Sequence, residues 1–425
     1  MKRITMILCG LLGVACAGNG PTNEQNSDAA IHCHIEGKVH NRPESKRLML
    51  YTGIDGQIAQ SSRPTTVIDI NGGTFVCDLY LNEADYCELV FEEEKSNGYW
   101  MPIDFMADNG SIKMDLYPMD EFSKTKIEGA GATAEYQSYK KSLRALYDEQ
   151  QEQQAKLKES GRYNTEIYTQ LTSSLESMDQ NSPEFKSTVE RLNAMTPEGK
   201  YTPEALALRE QHNAESKAAL LEIVGGEPSP ARLAILARQM IYRLPDQEFI
   251  DLAQELYAIE MRDHYITQFC IRQIEGLGLR VGSHYVDFEA PDLSGQMHRL
   301  SEMVAGAKLV LLDLWASWCG PCRRASMEMM PLYEQYRSRG FMVIGVARES
   351  ESTEAMEAAI RKDGYTWPQL VELDDRANIW SQYGCVNAAG RRILFNDEGE
   401  ILAFDPTIEE LTAEVEKRLG APKTE

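Results

Sequence analysis

Three patterns of apolar and polar positions succeed one another along the chain. From Ile31 to about Gly131, stretches such as RLMLYTG, TTVIDI, TFVCDLYL, YCELVFEE and SIKMDLYP alternate or run apolar, and NGG (71–73), NEAD (82–85) and DNG (108–110) separate them. Period-two alternation punctuated by turn residues predicts strands, so residues 31–131 read as a small all-β domain, an antiparallel sandwich or sheet. Between 132 and 277 the period becomes helical. Tyr136, Tyr139, Leu143, Leu146 and Tyr147 share one face, followed by EQQEQQAKLKESG, too polar for deep burial. Ser182-Pro183, Thr202-Pro203 and Ser229-Pro230 each place a capping hydroxyl before a proline at the first helical position. This region reads as a helical connector. From Val281 to 421, LVLLDLW (309–315), FMVIGVA (341–347), RRILF (391–395) and EILAF (400–404) are strands, and helical stretches alternate with the first pair. Ile408, Leu411, Val415 and Leu419 mark a final helix. Strands alternating with helices predict an α/β layer fold around a central mixed sheet.

The N-terminus adds a compartment. Lys2 and Arg3 precede ITMILCGLLGVACA, an apolar run too short to span a ~30 Å hydrocarbon core. It reads as an export signal over residues 1–16, with residues 17–30 a flexible polar tether. GVAC resembles a lipobox, which makes Cys16 the expected lipidated residue and places the protein in the periplasm on a membrane anchor. The alternative is ordinary cleavage at Ala15-Cys16-Ala17 and a soluble exported protein. Outside the cytoplasm disulfides persist. Cys33, Cys77, Cys87 and Cys270 read as core thiols, with a Cys77–Cys87 bridge left open.

Charge narrows the partners. Forty-three Lys and Arg against 66 Asp and Glu leave a net charge of −23, which repels phosphate backbones and excludes nucleic acid as a partner.

The chemistry lies at the end of the first C-terminal strand, in DLWASWCGPCRRA. Cys319 and Cys322 stand three apart where a strand hands over to a helix, so the first helical turn brings them side by side. Cys319 then sits at a helix N-terminus, where free N–H groups and the helix dipole favour the thiolate. A drop in thiol pKa from ~8.5 to ~7 raises the thiolate share at neutral pH from roughly 3% to about half. Cys319 is therefore the expected nucleophile, and Cys322, expected to be the less exposed, resolves the mixed disulfide. Gly320 permits close approach of another backbone and Pro321 preorganises the turn. A single CxxC is also half of a structural zinc site, but no second pair is present. No metal is expected.

Trp315, Trp318 and the WCGPC string on a buried strand resemble the active site of thioredoxin and, more narrowly, of the TlpA/ResA-type thiol-disulfide oxidoreductases. The segment VGSHYVDFEAPDLSGQMHRLSE is similar to that family's opening, VGxxAPDF followed by G and LS. The resemblance implies a thioredoxin fold over 281–421, with Cys319 attacking, Cys322 resolving, and Asp313 as the buried acid that takes the resolving cysteine's proton. It also implies that Trp318 shields the thiols and offers an apolar docking face. The β domain and helical connector in front resemble exported lipoproteins of this family in pattern and size.

The sequence departs from the family in three places. Ala325 and Met327 stand where it carries Glu and Pro, and the nearest proline is Pro331. The loop that faces the thiols reads YGCVNAAGRRILFNDEGE, without the family's cis-proline, so Ala389 or Gly390, followed by Arg391, forms the substrate loop. A non-proline cis peptide costs ~2.5–4 kcal/mol, so the usual loop geometry is not expected to persist. Cys385 in the same loop reads as core, with a third ligand or third redox thiol as the alternative. Arg391 and Arg392 are read as a solvated edge, with stabilisation of the Cys319 thiolate as the other possibility.

The expected function is a membrane-anchored periplasmic thiol-disulfide oxidoreductase that reduces disulfides in cysteine-containing exported proteins. Its only cofactor is the redox-active Cys319–Cys322 disulfide. The Gly-Pro dipeptide is that of thioredoxin, whose potential is about −270 mV, so a membrane-embedded thiol reductase is the expected electron donor. The alternative is a non-catalytic module that holds a metal or a partner protein on the CGPC face. Peroxide reduction is disfavoured because Ala316, not Thr, stands three residues before Cys319.

Overall fold

The computed structural model describes residues 30–54, 64–97, 99–242, 246–350, 352–385 and 390–421. The expected signal, tether and lipidated Cys16, and Ala389 of the substrate loop, lie outside the described residues. Among the described residues no helix is long and apolar enough to cross a membrane.

Eight strands form the first layer pair: β1 (Ile31–Val39), β2 (Arg47–Thr52), β3 (Thr66–Asp69), β4 (Thr74–Leu81), β5 (Asp85–Phe91), β6 (Ile103–Ala107), β7 (Gly110–Leu116) and β8 (Lys126–Glu128). They make two four-stranded sheets, ordered β4-β1-β7-β8 and β3-β2-β5-β6. Pairing is antiparallel except between β1 and β7, which run parallel. Ile35, Leu79, Cys87, Leu89 and Phe105 fill the space between the sheets. Cys77 and Cys87 lie on successive strands of different sheets, and Cys33, Cys77 and Cys87 are free thiols, so the bridge left open by the sequence is not formed.

The outer face of the second sheet is apolar too, and the helices cover it. They include α1 (Gly131–Glu159), α2 (Glu166–Glu176), α3 (Pro183–Ala194), α4 (Pro203–Val224), α5 (Pro230–Tyr242) and α6 (Tyr265–Gly278). Tyr51, Tyr86 and Met106 of the sheet pack with Tyr136, Leu236, Met240 and Phe269. Ser182, Thr202 and Ser229 each accept a backbone N–H of the first helical turn, which satisfies an otherwise orphaned donor. Two expectations fail along α1. Tyr147 is half exposed because the helix has by then left the sheet, and Gln150, in the polar run, is buried. Its amide is satisfied there by the His212 carbonyl and Ser216 Oγ on α4, which removes the cost of burial.

The last layer opens with a hairpin of β9 (Glu289–Pro291) and β10 (Met297–Arg299). There follow β11 (Leu309–Trp315), α7 (Gly320–Tyr336), β12 (Phe341–Glu349), α8 (Glu354–Asp363), β13 (Gln369–Leu373), α9 (Ile379–Gln382), β14 (Arg391–Asn396), β15 (Ile401–Phe404) and α10 (Ile408–Leu419). The sheet order is β13-β12-β11-β14-β15, with the first three parallel and the last two antiparallel. This is the thioredoxin fold. Every residue of β11 is buried, as a central strand covered on both faces requires. Leu309, Leu311 and Trp315 pack on the α7, α8 and α10 side, and Val310, Leu312 and Leu314 face the opposite cluster with Trp380. Helix α6 docks on α9 through a glycine contact: a β-carbon on Gly276 would lie 2.4 Å from Gly384 N and 2.5 Å from Ser381 O.

Candidate active site

The parallel strands β11, β12 and β13 end on one edge of the sheet, and the loop from Ala316 to Cys319 crosses that edge into α7. Pro321 lies in the first turn, and its missing N–H is one the helix would leave unpaired anyway. Cys319 is the N-cap. Its Sγ accepts from Cys322 N at 3.2 Å, and the two cysteines are joined by a disulfide across a Cα separation of 5.3 Å. Helix geometry alone brings positions i and i+3 this close.

The order of exposure is the reverse of the sequence expectation. Cys319 is 2% exposed, while Cys322 is partly exposed. A sulfur that caps the first turn is drawn inward over the helix end, away from solvent. Trp318 beside it is 52% exposed, and Pro321 and Gly320 are exposed, so an apolar rim surrounds the bonded pair. A β-carbon on Gly320 would meet only the Arg324 guanidinium, at an ordinary contact distance of 3.6 Å. Trp315 is fully buried: its Nε1 donates to Gln369 Oε1 at 2.9 Å and its ring meets Tyr365 edge-on.

Behind the disulfide lies Asp313, in mid-strand on the α7 face and 3% exposed. Burial pushes its carboxyl up to about 6, against the opposing hydrogen bond from Ser326 and the charge of Arg392. Ser326 Oγ stands 2.7 Å from Asp313 Oδ2 and 3.0 Å from the Cys322 carbonyl.

Two further buried acids brace the loop, and neither was evident from sequence. Glu349, the last residue of β12, accepts from Ser317 N at 2.6 Å and from Ser317 Oγ at 2.7 Å, and burial raises its carboxyl. Arg323, next to Cys322, binds the Asp363 carboxylate with two nitrogens at 2.6 and 2.8 Å and donates to Ser317 O at 3.2 Å. Glu349 lies in ARES, after an apolar strand, and Asp363 in the KDG that ends α8; acids at such places usually face water. Only the fold turns them inward. Ser326 had one usable signal, its i+4 spacing from Cys322 on the helix face that also carries Met329.

The loop opposite carries the remaining candidates. Gly390 touches the disulfide: with φ at 151°, a β-carbon there would lie 2.7 Å from Cys322 Sγ and 2.5 Å from Leu314 O. Arg391 does not reach the sulfurs. Its guanidinium donates to Tyr383 O at 2.8 Å and lies over the Phe404 ring, 4.3 Å from the centroid. Arg392 pairs across the ladder with Asp313. Cys385 is buried in the core cluster on the opposite face of the sheet, with Trp380 and Tyr383, and burial pushes its thiol up to about 12. The third redox thiol considered from sequence is thus separated from the pair by the sheet.

The comparisons with known proteins fall on this part of the chain. Residues 281–404 match the AhpC/TSA family. Thiol-disulfide oxidoreductase ResA of Geobacillus kaustophilus is 33% identical over 127 residues, which cover 30% of this chain and 70% of that protein. ResA of Halalkalibacterium halodurans is 32% identical over 124 residues, covering 29% of this chain and 66% of that one. The chain thus spans about two thirds of the length of these relatives. A solved thioredoxin domain of a thiol-disulfide oxidoreductase from Bacteroides vulgatus is 28% identical and covers 33% of this chain and 98% of its own, with a TM-score of 0.30. On its sequence likeness to these relatives, the chain belongs to the ResA-type thiol-disulfide oxidoreductases.

Proposed function

We propose that Cys319 and Cys322 form a reversible two-electron centre that reduces disulfides in exported proteins. The observation that carries this reading is the bonded pair at the head of α7 with the buried carboxyl of Asp313 behind it. In the reduced protein, the Cys319 thiolate attacks one sulfur of a partner disulfide. The first partner thiol leaves, and a mixed disulfide forms. Cys322 then gives its proton to Asp313 and attacks Cys319 Sγ, which releases the second partner thiolate and restores the bond seen here. Two electrons pass to the partner. Because Cys319 is covered when bonded, uncovering it is part of the cycle.

Trp318 supplies the apolar docking face, and the backbone at Gly390 and Arg391 holds the partner peptide. Return of electrons needs a thiol reductase in the membrane, and lipidation of Cys16 would tether the protein beside it in the periplasm; mass analysis of the mature N-terminus reads that directly. The central test is titration of the pair against dithiothreitol and glutathione, with trapping of partners by Cys322→Ser. A 319–322 bond that forms and breaks reversibly, and mixed disulfides on Cys319, are the expected results. Failure of the pair to cycle at any redox poise would overturn the reading.

A further inference from the structure

Ser326 is fully buried one helical turn after Cys322, and its hydroxyl lies within hydrogen-bond distance of two acceptors, Asp313 Oδ2 at 2.7 Å and the Cys322 carbonyl at 3.0 Å. A hydroxyl has one hydrogen, so it serves one of them at a time. When Asp313 is ionised, the hydrogen goes to the carboxylate as a charge-assisted bond. When Asp313 is protonated, its own O–H donates to Ser326 Oγ, and the serine hydrogen turns to the Cys322 carbonyl.

We propose that Ser326 is a positioning residue, a rotatable hydroxyl bridge that ties the ionisation state of Asp313 to the helical turn carrying Cys322. The inference deepens the redox reading above and rests on it for its part in turnover, although the bridge exists in the resting disulfide and can be measured there. Both groups are buried, so the hydroxyl, and not bulk solvent, is what the carboxyl meets on this side. The groups that face Asp313 from other elements are few. Arg392 on β14 lies opposite in register and favours the carboxylate, while Asp405, just past β15, opposes it. Tyr365, ahead of β13, lies beside them with its hydroxyl within bonding distance of Arg323 O and Asp363 Oδ2, and β12 contributes Gly345 at the paired position. None of these spans the gap between Asp313 and the Cys322 turn as Ser326 does. A serine that merely bonds back to the carbonyl four residues earlier would satisfy the helix without affecting Asp313.

The test is a carboxyl-carbon NMR titration of the full chain in its disulfide form, with the Asp313 signal assigned by Asp313→Asn. Ser326→Ala removes one oxygen and raises helix propensity, so folding is retained. Loss of a hydrogen bond to a charged group should move the Asp313 midpoint up by about one pH unit, a tenfold gain in proton affinity. Ser326→Thr, which keeps the hydroxyl, should return it to the wild-type position. In single turnover, the pH dependence of mixed-disulfide resolution by Cys322 should move by the same amount. A midpoint in Ser326→Ala that stays with the wild type, or that Ser326→Thr fails to restore, overturns the inference. The two readings separate cleanly: normal cycling with an unmoved midpoint sinks the bridge alone, and a moved midpoint in a pair that never cycles sinks the redox reading alone.

Discussion

Gly390 and Cys322 are in contact, and only a glycine allows it. The backbone of Gly390 passes so close to the sulfur that a β-carbon would stand 2.7 Å from Sγ, and on its other side 2.5 Å from the Leu314 carbonyl. Where the family resemblance implies a proline, this chain brings bare backbone against the disulfide.

Gly390→Ala is therefore expected to destabilise the oxidised protein by about 1–3 kcal/mol, through overpacking and an unfavourable φ. Chemical denaturation of oxidised and reduced protein measures it. The loss should be larger in the oxidised form, whose sulfur position is fixed by the bond. Equal losses in both would show that the contact with Cys322 is not the cause.

Asp313 makes stability depend on pH in a known direction. Its carboxyl sits near 6 in the fold against an ordinary 3.8, so the folded state holds the proton more tightly than the unfolded chain. The contribution is fully present below about pH 4 and is lost as pH rises to about 6. Asp313→Asn removes the penalty. The variant should match the wild type near pH 4 and exceed it above pH 6 by up to about 3 kcal/mol, at 1.36 kcal/mol per unit. Urea midpoints across that range provide the check; a difference that does not grow with pH would contradict the assignment.

Glu349 holds the loop before Cys319 by accepting both the N–H and the hydroxyl of Ser317. Glu349→Ala leaves a partly buried N–H and a hydroxyl without their acceptor and should cost about 1–3 kcal/mol. Glu349→Gln keeps an acceptor and should cost less. Thermal unfolding distinguishes them, and the rate of thiol exchange at Cys319 should fall in the alanine variant as the loop loosens.

The helical region and the C-terminal layer meet backbone to backbone at Gly276 and Gly384. Gly276→Ala would drive a methyl into Gly384 N and Ser381 O, and should cost about 1–3 kcal/mol and expose the contact to protease. Gly278→Ala, two residues on, meets nothing within 4 Å and should be neutral. Limited proteolysis of the two variants compares them within one helix.

Local structure was legible in the order of the amino acids. Period-two and period-3.6 patterns located most strands and helices, hydroxyl-proline pairs marked three helix starts, and CGPC after a buried strand fixed the disulfide, because a helical turn alone brings those sulfurs together. The rest depended on contacts between distant segments. Whether Cys319 or Cys322 is covered follows from how the N-cap sulfur turns over the helix. Gly390 reaches Cys322, Arg391 bonds to Tyr383, and Cys385 ends on the far face of the sheet through packing contacts that no local period encodes. Glu349 and Asp363 turn inward only because strand and helix ends converge on the WASWC loop. The β region read as an antiparallel sandwich or sheet, yet one of its two sheets is built around a parallel β1–β7 pair, since strand neighbours are chosen by shared core rather than by order in the chain.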